Sequence, residues 1–255
     1  MLILQKKMYN VQLKENFKIF IGGPSRCGKT TFVVDLIQNL SNLAVVAPTF
    51  IIYIYKVWQP IFDEMNKVNV FLQDGESIDS RIKSYANGQP ILVIFDDLIS
   101  SKFLNDIAPL FTVDARHLNI SLIFLSQCLY VNDEHFRQIS QNCDYFIVFK
   151  NPRNLSEIRT LAQQITPGSL HLTSIYREAT KEPFSYLFIN LTQEAQTEVK
   201  FLSHLLDRDH MLMAYVEQPS RLSKEPTTVT YSQFYHGHGK NNISIQIVFT
   251  IHCEK

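Results

Sequence analysis

The sequence predicts an α/β architecture: a mostly parallel central sheet flanked by helices, forming a single domain with a loosely structured C-terminal tail. Three observations carry this reading. Apolar runs of strand length recur at 17–21, 51–55, 91–95, 120–125 and 145–149. They are continuous rather than alternating, as strands covered on both faces are, and stretches of helical spacing lie between them. Two of the runs end in residues that set them apart, Gly22-Gly23-Pro24 and Asp96-Asp97. Chemistry is thereby placed at the carboxyl ends of strands, where ligands bind in open α/β sheets.

Residues 1–16 are mixed in character and read as a short arm or an edge strand. The first run, 17–21, breaks at Gly22-Gly23-Pro24, and Gly23 to Thr30 then spells G-x-x-x-x-G-K-T, the phosphate-binding P-loop. A triphosphate carries dense negative charge. Gly23 and Gly28 let the backbone curl so that successive N–H groups point inward. The helix that begins near Gly28 adds its positive end. Lys29 is placed to reach the β- and γ-phosphates, and Thr30 offers a hydroxyl to Mg²⁺. Gly23, Pro24, Ser25, Arg26, Cys27, Gly28, Lys29, Thr30 and Thr31 are therefore the candidate nucleotide-binding residues. An ordinary glycine turn before a helix could share these letters; the strand before and the helix after favour the P-loop.

The first helix is expected over 29–40, with Phe32, Val33, Leu36, Ile37 and Leu40 on one face. Strand 51–55 leads through Trp58-Gln59-Pro60 into a short helix ending near Met65. A third strand is expected at 68–72, a helix near 78–85 and a turn at 87–90. Then five apolar residues deliver Asp96 and Asp97. Behind a P-loop this is the Walker B element: Asp96 would hold Mg²⁺ and Asp97 would orient or deprotonate the attacking water. The alternative is a pair of helix-capping aspartates. A helix over 100–118 precedes strand 120–125, which ends in Ser126-Gln127. The Gln127 amide could bond the γ-phosphate or the water; a turn-forming role is the alternative. Helix 132–142, strand 145–149, helix 154–164 and a helical patch after Pro167-Gly168 follow. Strand 184–191 is expected to be the last of the core, with a final helix over 194–206. Residues 218–230 read as a linker, and 243–251 as an isolated strand or tail. His236-Gly237-His238-Gly239 reads as a solvated loop, since no further metal ligands are spaced around it. The expected division is an N-terminal arm at 1–16, the ATPase domain at 17–215 and a tail of low order at 216–255.

The bulk numbers agree with one domain plus a tail. The 255 residues are 45% apolar, enough for a sizeable core. The 24 basic and 24 acidic residues cancel, so no cationic coat for nucleic acid is evident. A DNA role stays open, because a ring of subunits can gather a few lysines in its bore. No stretch approaches the roughly 18 apolar residues of a membrane span, and MLILQKK is too short for a secretory signal. Cys27, Cys128, Cys143 and Cys253 form no CxxC pair, which favours a reducing, intracellular setting. Cys27, inside the loop, is a small filler or a thiol activated by the local field.

Among P-loop classes, the chain lacks an NKxD base-reading motif and an LSGGQ string, and arginine is sparse. A motor-type ATPase remains, with a helicase, a nucleotide kinase or a non-catalytic nucleotide-binding remnant as the alternatives. The strings GGPSRCGKTTFV, IIYIYKVWQPIFDEM, ILVIFDDLIS, ARHLNISLIFLSQ and NCDYFIVFKNPR, in that order over about residues 15–205, resemble the poxvirus-type genome-packaging ATPases. That family includes those of Polinton (Maverick) elements and adintoviruses, within the FtsK/HerA superfamily of P-loop NTPases. The resemblance implies ATP and Mg²⁺ as cofactors, and a homo-oligomeric ring that drives double-stranded DNA into a capsid, in contact with a capsid or portal vertex protein and without a membrane. It assigns Lys29 to the phosphates, Thr30 and Asp96 to the metal, Asp97 to the water and Gln127 to a sensor role. FtsK-like members carry a glutamate at the Asp97 position. It matches Arg116 to an arginine presented to the neighbouring subunit's γ-phosphate; a solvated or capping arginine is the alternative reading. Residues 216–255 fall outside the resemblance.

Overall fold

Every apolar run becomes a strand of one sheet. The computed structural model describes residues 2–6, 11–73, 78–167, 171–195, 199–206, 212–217 and 247–250. The strands are β1 (Leu2–Lys6), β2 (Lys18–Gly22), β3 (Phe50–Tyr55), β4 (Val70–Gln73), β5 (Ile91–Asp96), β6 (Ile120–Ser126), β7 (Tyr145–Phe149), β8 (Tyr186–Asn190), β9 (Phe201–Ser203), β10 (Met213–Glu217) and β11 (Ile247–Thr250). Their spatial order is β11-β1-β10-β9-β8-β7-β2-β6-β5-β3-β4. From β7 to β4 every pairing is parallel. From β7 outward through β8, β9, β10 and β1 to β11 every pairing is antiparallel.

The helices are α1 (Lys29–Leu43), α2 (Ile78–Tyr85), α3 (Ser101–Pro109), α4 (Ala115–His117), α5 (Glu134–Gln141), α6 (Leu155–Ile165) and α7 (His171–Ala179). A strand's side chains alternate between faces, and the two faces bury separate cores. Phe20, Val93, Phe95, Leu122, Phe124, Phe146 and Val148 pack with residues of α2, α3, α5, α6 and α7. Ile19, Ile21, Tyr53, Leu92, Ile94, Ile123 and Ile147 pack with Phe32, Val33, Leu36, Ile37 and Leu40 of α1. Each buried aliphatic or aromatic side chain contributes about 1.5–3 kcal/mol relative to exposure, which is why the sheet is so uniformly apolar. Side-chain oxygens of Ser100, Asp133 and Asn154 cap α3, α5 and α6 by accepting from the backbone N–H three residues on.

Four expectations are corrected. The helix expected over 100–118 is divided: α3 ends at Pro109, a π turn covers Leu110–Asp114, and α4 follows. Pro109 has no amide hydrogen to continue the ladder, and the Lys18 ammonium donates to the Phe111 carbonyl at 2.6 Å within the π turn. The expected final helix over 194–206 is not formed; Phe201–Ser203 is strand β9, paired to β8. Its Phe201 and Leu202 are buried on opposite faces, a period of two that short-range helical spacing concealed. Strand 184–191 is therefore not the last, and it starts at Tyr186 rather than Phe184. Finally, β10 runs across residue 215, and β11 pairs with β1. The histidines at 236 and 238 and most of the expected tail lie outside the described residues.

Candidate functional site

The tips of three strands fix the site. Gly22 of β2 pairs with Ser126 of β6, and Asp96 of β5 pairs with Leu125 of β6. The P-loop, the acids and Gln127 therefore leave the sheet side by side at one edge. The Gly23 N–H donates to the Ser126 carbonyl at 3.2 Å, continuing the ladder into the loop.

The loop's shape depends on two glycines. Gly28 has φ 102°, in the left-handed region, immediately before α1 begins. A Cβ on Gly23 would stand 2.7 Å from the Phe149 Cβ and 2.8 Å from the Cys27 sulfur. Arg26 also has a positive φ, 64°, so the chain turns twice before the helix. Lys29 is buried on α1, and its ammonium donates to the Gly23 carbonyl at 2.6 Å and the Pro24 carbonyl at 3.0 Å. The amine is folded back over its own loop.

Opposite the loop stand the acids. Asp96 is buried, and its Oδ2 accepts from the Tyr53 hydroxyl at 2.9 Å. Burial raises the Asp96 pKa above the usual carboxylate range; the Tyr53 bond and the Lys29 charge oppose that rise, and the Asp97 charge adds to it. Desolvation, with the Asp96 charge beside it, also pushes the Tyr53 phenol far up, so it stays a donor. Asp97 has left the strand and has φ 58°, a conformation uncommon outside glycine and tolerated best by Asn and Asp. Gln127 donates its side-chain N–H to Asp97 Oδ2. Asp97 Oδ1 is buried and, among the described residues, has no partner.

Loop and acids face one cavity of about 1000 Å³, whose wall includes Ser25, Arg26, Gly28, Lys29, Thr30, Thr31, Asp96, Asp97 and Gln127. Pro24 and Cys27 line a second cavity of about 560 Å³ on the outer side of the loop, shared with Ser25, Arg26 and Gln127. Burial pushes the Cys27 thiol pKa up, against the pull of Lys29, which fits the filler reading rather than an activated thiol. A hydroxyl at Thr30, a desolvated carboxylate at Asp96 and an orphaned oxygen at Asp97 are hard oxygen donors of the kind Mg²⁺ takes. Arg116 is exposed on α4, just before β6. It sits at the amino end of the parallel strands, the edge opposite this cavity, and does not join the site of its own chain.

Comparison with known proteins follows the geometry. The family model of the poxvirus A32 protein matches residues 5–179, well over half of the chain. The chain belongs to the poxvirus A32 protein family. Among solved structures it is similar to B204, the DNA-packaging ATPase of Sulfolobus turreted icosahedral virus. The identity is 16% and the TM-score 0.51, over 73% of this chain and 96% of that one. It is likewise similar to the genome-packaging NTPase B204 of Sulfolobus turreted icosahedral virus 2 in complex with AMPPCP, at 15% identity and a TM-score of 0.50, over 71% and 95% of the two chains. At such identities the likeness concerns the fold: a P-loop NTPase sheet. No curated protein sequence matches the chain. Among the described residues no helix is long and apolar enough to cross a membrane.

Sequence reasoning missed two features of this A32-family site. Tyr53 supports Asp96 from the neighbouring strand; the signal was a hydroxyl inside an otherwise aliphatic buried run, which requires a partner. Phe184 was read as strand, but lies in the turn before β8 and lines both cavities.

Proposed function

We propose that this chain is an ATP-hydrolysing motor that drives double-stranded DNA into a viral or virus-like capsid. The observation that supports it most is the P-loop facing two carboxylates and a glutamine across one cavity, in a chain of the A32 family. ATP with Mg²⁺ would supply the scissile phosphoanhydride and the charge neutralisation of phosphoryl transfer.

The chain's own residues then divide the work. The curled backbone from Gly23 to Thr31 holds the phosphates, with the amino end of α1 aimed at them. Lys29 exchanges its two loop carbonyls for phosphate oxygens. Thr30 and Asp96 would hold the cation, with Tyr53 fixing the Asp96 carboxylate through Oδ2. Asp97, held by Gln127 through Oδ2, would orient or deprotonate the attacking water. Arg116, on the opposite edge, acts on the next subunit of a homo-oligomeric ring. A capsid or portal vertex protein is the further partner.

The test is hydrolysis by the full chain with and without duplex DNA, alongside the mass of the assembly in ATP. DNA should stimulate turnover, and Lys29→Ala and Asp97→Asn should each abolish it. Turnover unaffected by Lys29→Ala would remove the site assignment, and a small-molecule acceptor with indifference to DNA would make the protein a kinase.

A further inference from the structure

The polar wall of the main cavity marks where a γ-phosphate must lie, because Asp96, Asp97 and Gln127 stand there. The rest of a nucleotide therefore leaves on the other side of β2. In the order β8-β7-β2-β6-β5 the P-loop is midway. Four spacings of about 4.8 Å separate the outer strands, roughly 19 Å in all, the length scale of an extended nucleoside triphosphate. The wall on the β7 and β8 side changes character: Phe149, Phe184, Tyr186 and Leu206 line it.

Phe184 is the unusual member. It is 68% exposed, although large and apolar. Its φ is 61°, a left-handed backbone rarely adopted by a bulky residue and found where surroundings enforce it. It lies against the loop itself: its Cβ and Cδ1 are 3.7 and 3.8 Å from where a Gly28 Cβ would stand. Beneath it the wall is fixed, with the Tyr186 ring 4.8 Å from Phe32 and 5.4 Å from Phe149 between centroids. A strained, exposed aromatic thus borders the P-loop on the apolar wall of the cavity, the wall that also carries Tyr186 and Phe149.

We infer that Phe184 is the stacking platform for the nucleobase, an inference that rests on reading this cavity as a nucleoside triphosphate site. Stacking uses the face of the ring and tolerates every base, so the platform holds ATP and GTP alike. The phosphates remain with the P-loop and are indifferent to residue 184.

Calorimetric titration of the full chain with ATP and with inorganic tripolyphosphate separates the two. Phe184→Ala should weaken ATP binding roughly 5- to 140-fold, the range for loss of one base–aromatic stack, and leave tripolyphosphate unchanged. Phe184→Trp should retain ATP affinity. ATP affinity unaltered by Phe184→Ala overturns the inference, as does an equal loss for ATP and tripolyphosphate, which would mean that Phe184 only shapes the loop. Failure of the site reading has its own signature: wild-type chain binding neither ligand, or Lys29→Ala binding both as wild type does. That result overturns both readings. Phe184→Gly supplies a check on folding, since it relieves the positive φ and should remove the stack without lowering stability.

Discussion

Tyr53 shows how a single hydroxyl can position the carboxylate proposed to hold the metal. Its bond to Asp96 Oδ2 fixes the carboxylate's rotation, and such supporting partners of metal ligands typically govern affinity by about 10–100-fold. Tyr53→Phe should therefore raise the Mg²⁺ concentration needed for half-maximal hydrolysis while leaving tripolyphosphate binding without metal intact. Asp96 itself, the proposed metal-holding acid, burdens the fold. Its pKa is raised chiefly by desolvation, so the ionised form is disfavoured in the folded chain. The penalty is absent in acid, where the group is protonated both folded and unfolded, and grows as pH climbs through the folded-state value. Asp96→Asn should accordingly melt higher than wild type at neutral pH in thermal scans, with the gap closing toward acid, and should lose Mg²⁺-dependent turnover. The letters Asp96 and Asp97 were readable because two charges after an apolar run demand an explanation. Tyr53 was not, because its partner lies on another strand, and only register reveals that they meet.

At the level of elements, the loop and α1 behave as one unit. Gly28 stands at φ 102°, where a side chain costs about 1–2 kcal/mol. Gly28→Ala should destabilise by about that amount in denaturant titrations and weaken nucleotide binding as well, since the same turn aims the helix at the phosphates. The elements most legible in the sequence were those with local signals: the P-loop, α1 with its apolar face, and the continuous runs of β5 and β6. The elements that escaped were decided by distant partners. β9 is three residues long and exists because β8 and β10 flank it, while helical spacing over 194–206 suggested otherwise. The break after α3 could have been anticipated at Pro109, yet the π turn that follows is stabilised by Lys18, far away in sequence.

In the whole molecule, the P-loop, Asp96, Asp97 and Gln127 gather at one edge of the sheet and Arg116 stands at the other. For that arginine to reach a γ-phosphate, one subunit's opposite edge must face its neighbour's cavity. Such a contact is head-to-tail, and it closes into a ring when the rotation permits. A mixture of Lys29→Ala and Arg116→Ala chains, each inactive alone, should then regain part of the DNA-stimulated ATPase rate, because some interfaces combine an intact loop with an intact arginine. Absence of recovery, or full activity of Arg116→Ala alone, would assign Arg116 to the solvated surface instead. Sequence pattern located the parallel sheet and the edge where the P-loop and the acids meet, but subunit geometry is invisible to periodicity.

The antiparallel flank has a temporal meaning. Leu2–Lys6 is held between strands that lie beyond residue 212, so this segment finds its place only after those strands have been synthesised. Until then β9 is a bare margin with unpaired amides and carbonyls, open to another chain's backbone. A shortened product ending near 206 would keep every residue of the proposed nucleotide site, yet would carry that raw seam, and its hazard would be clumping.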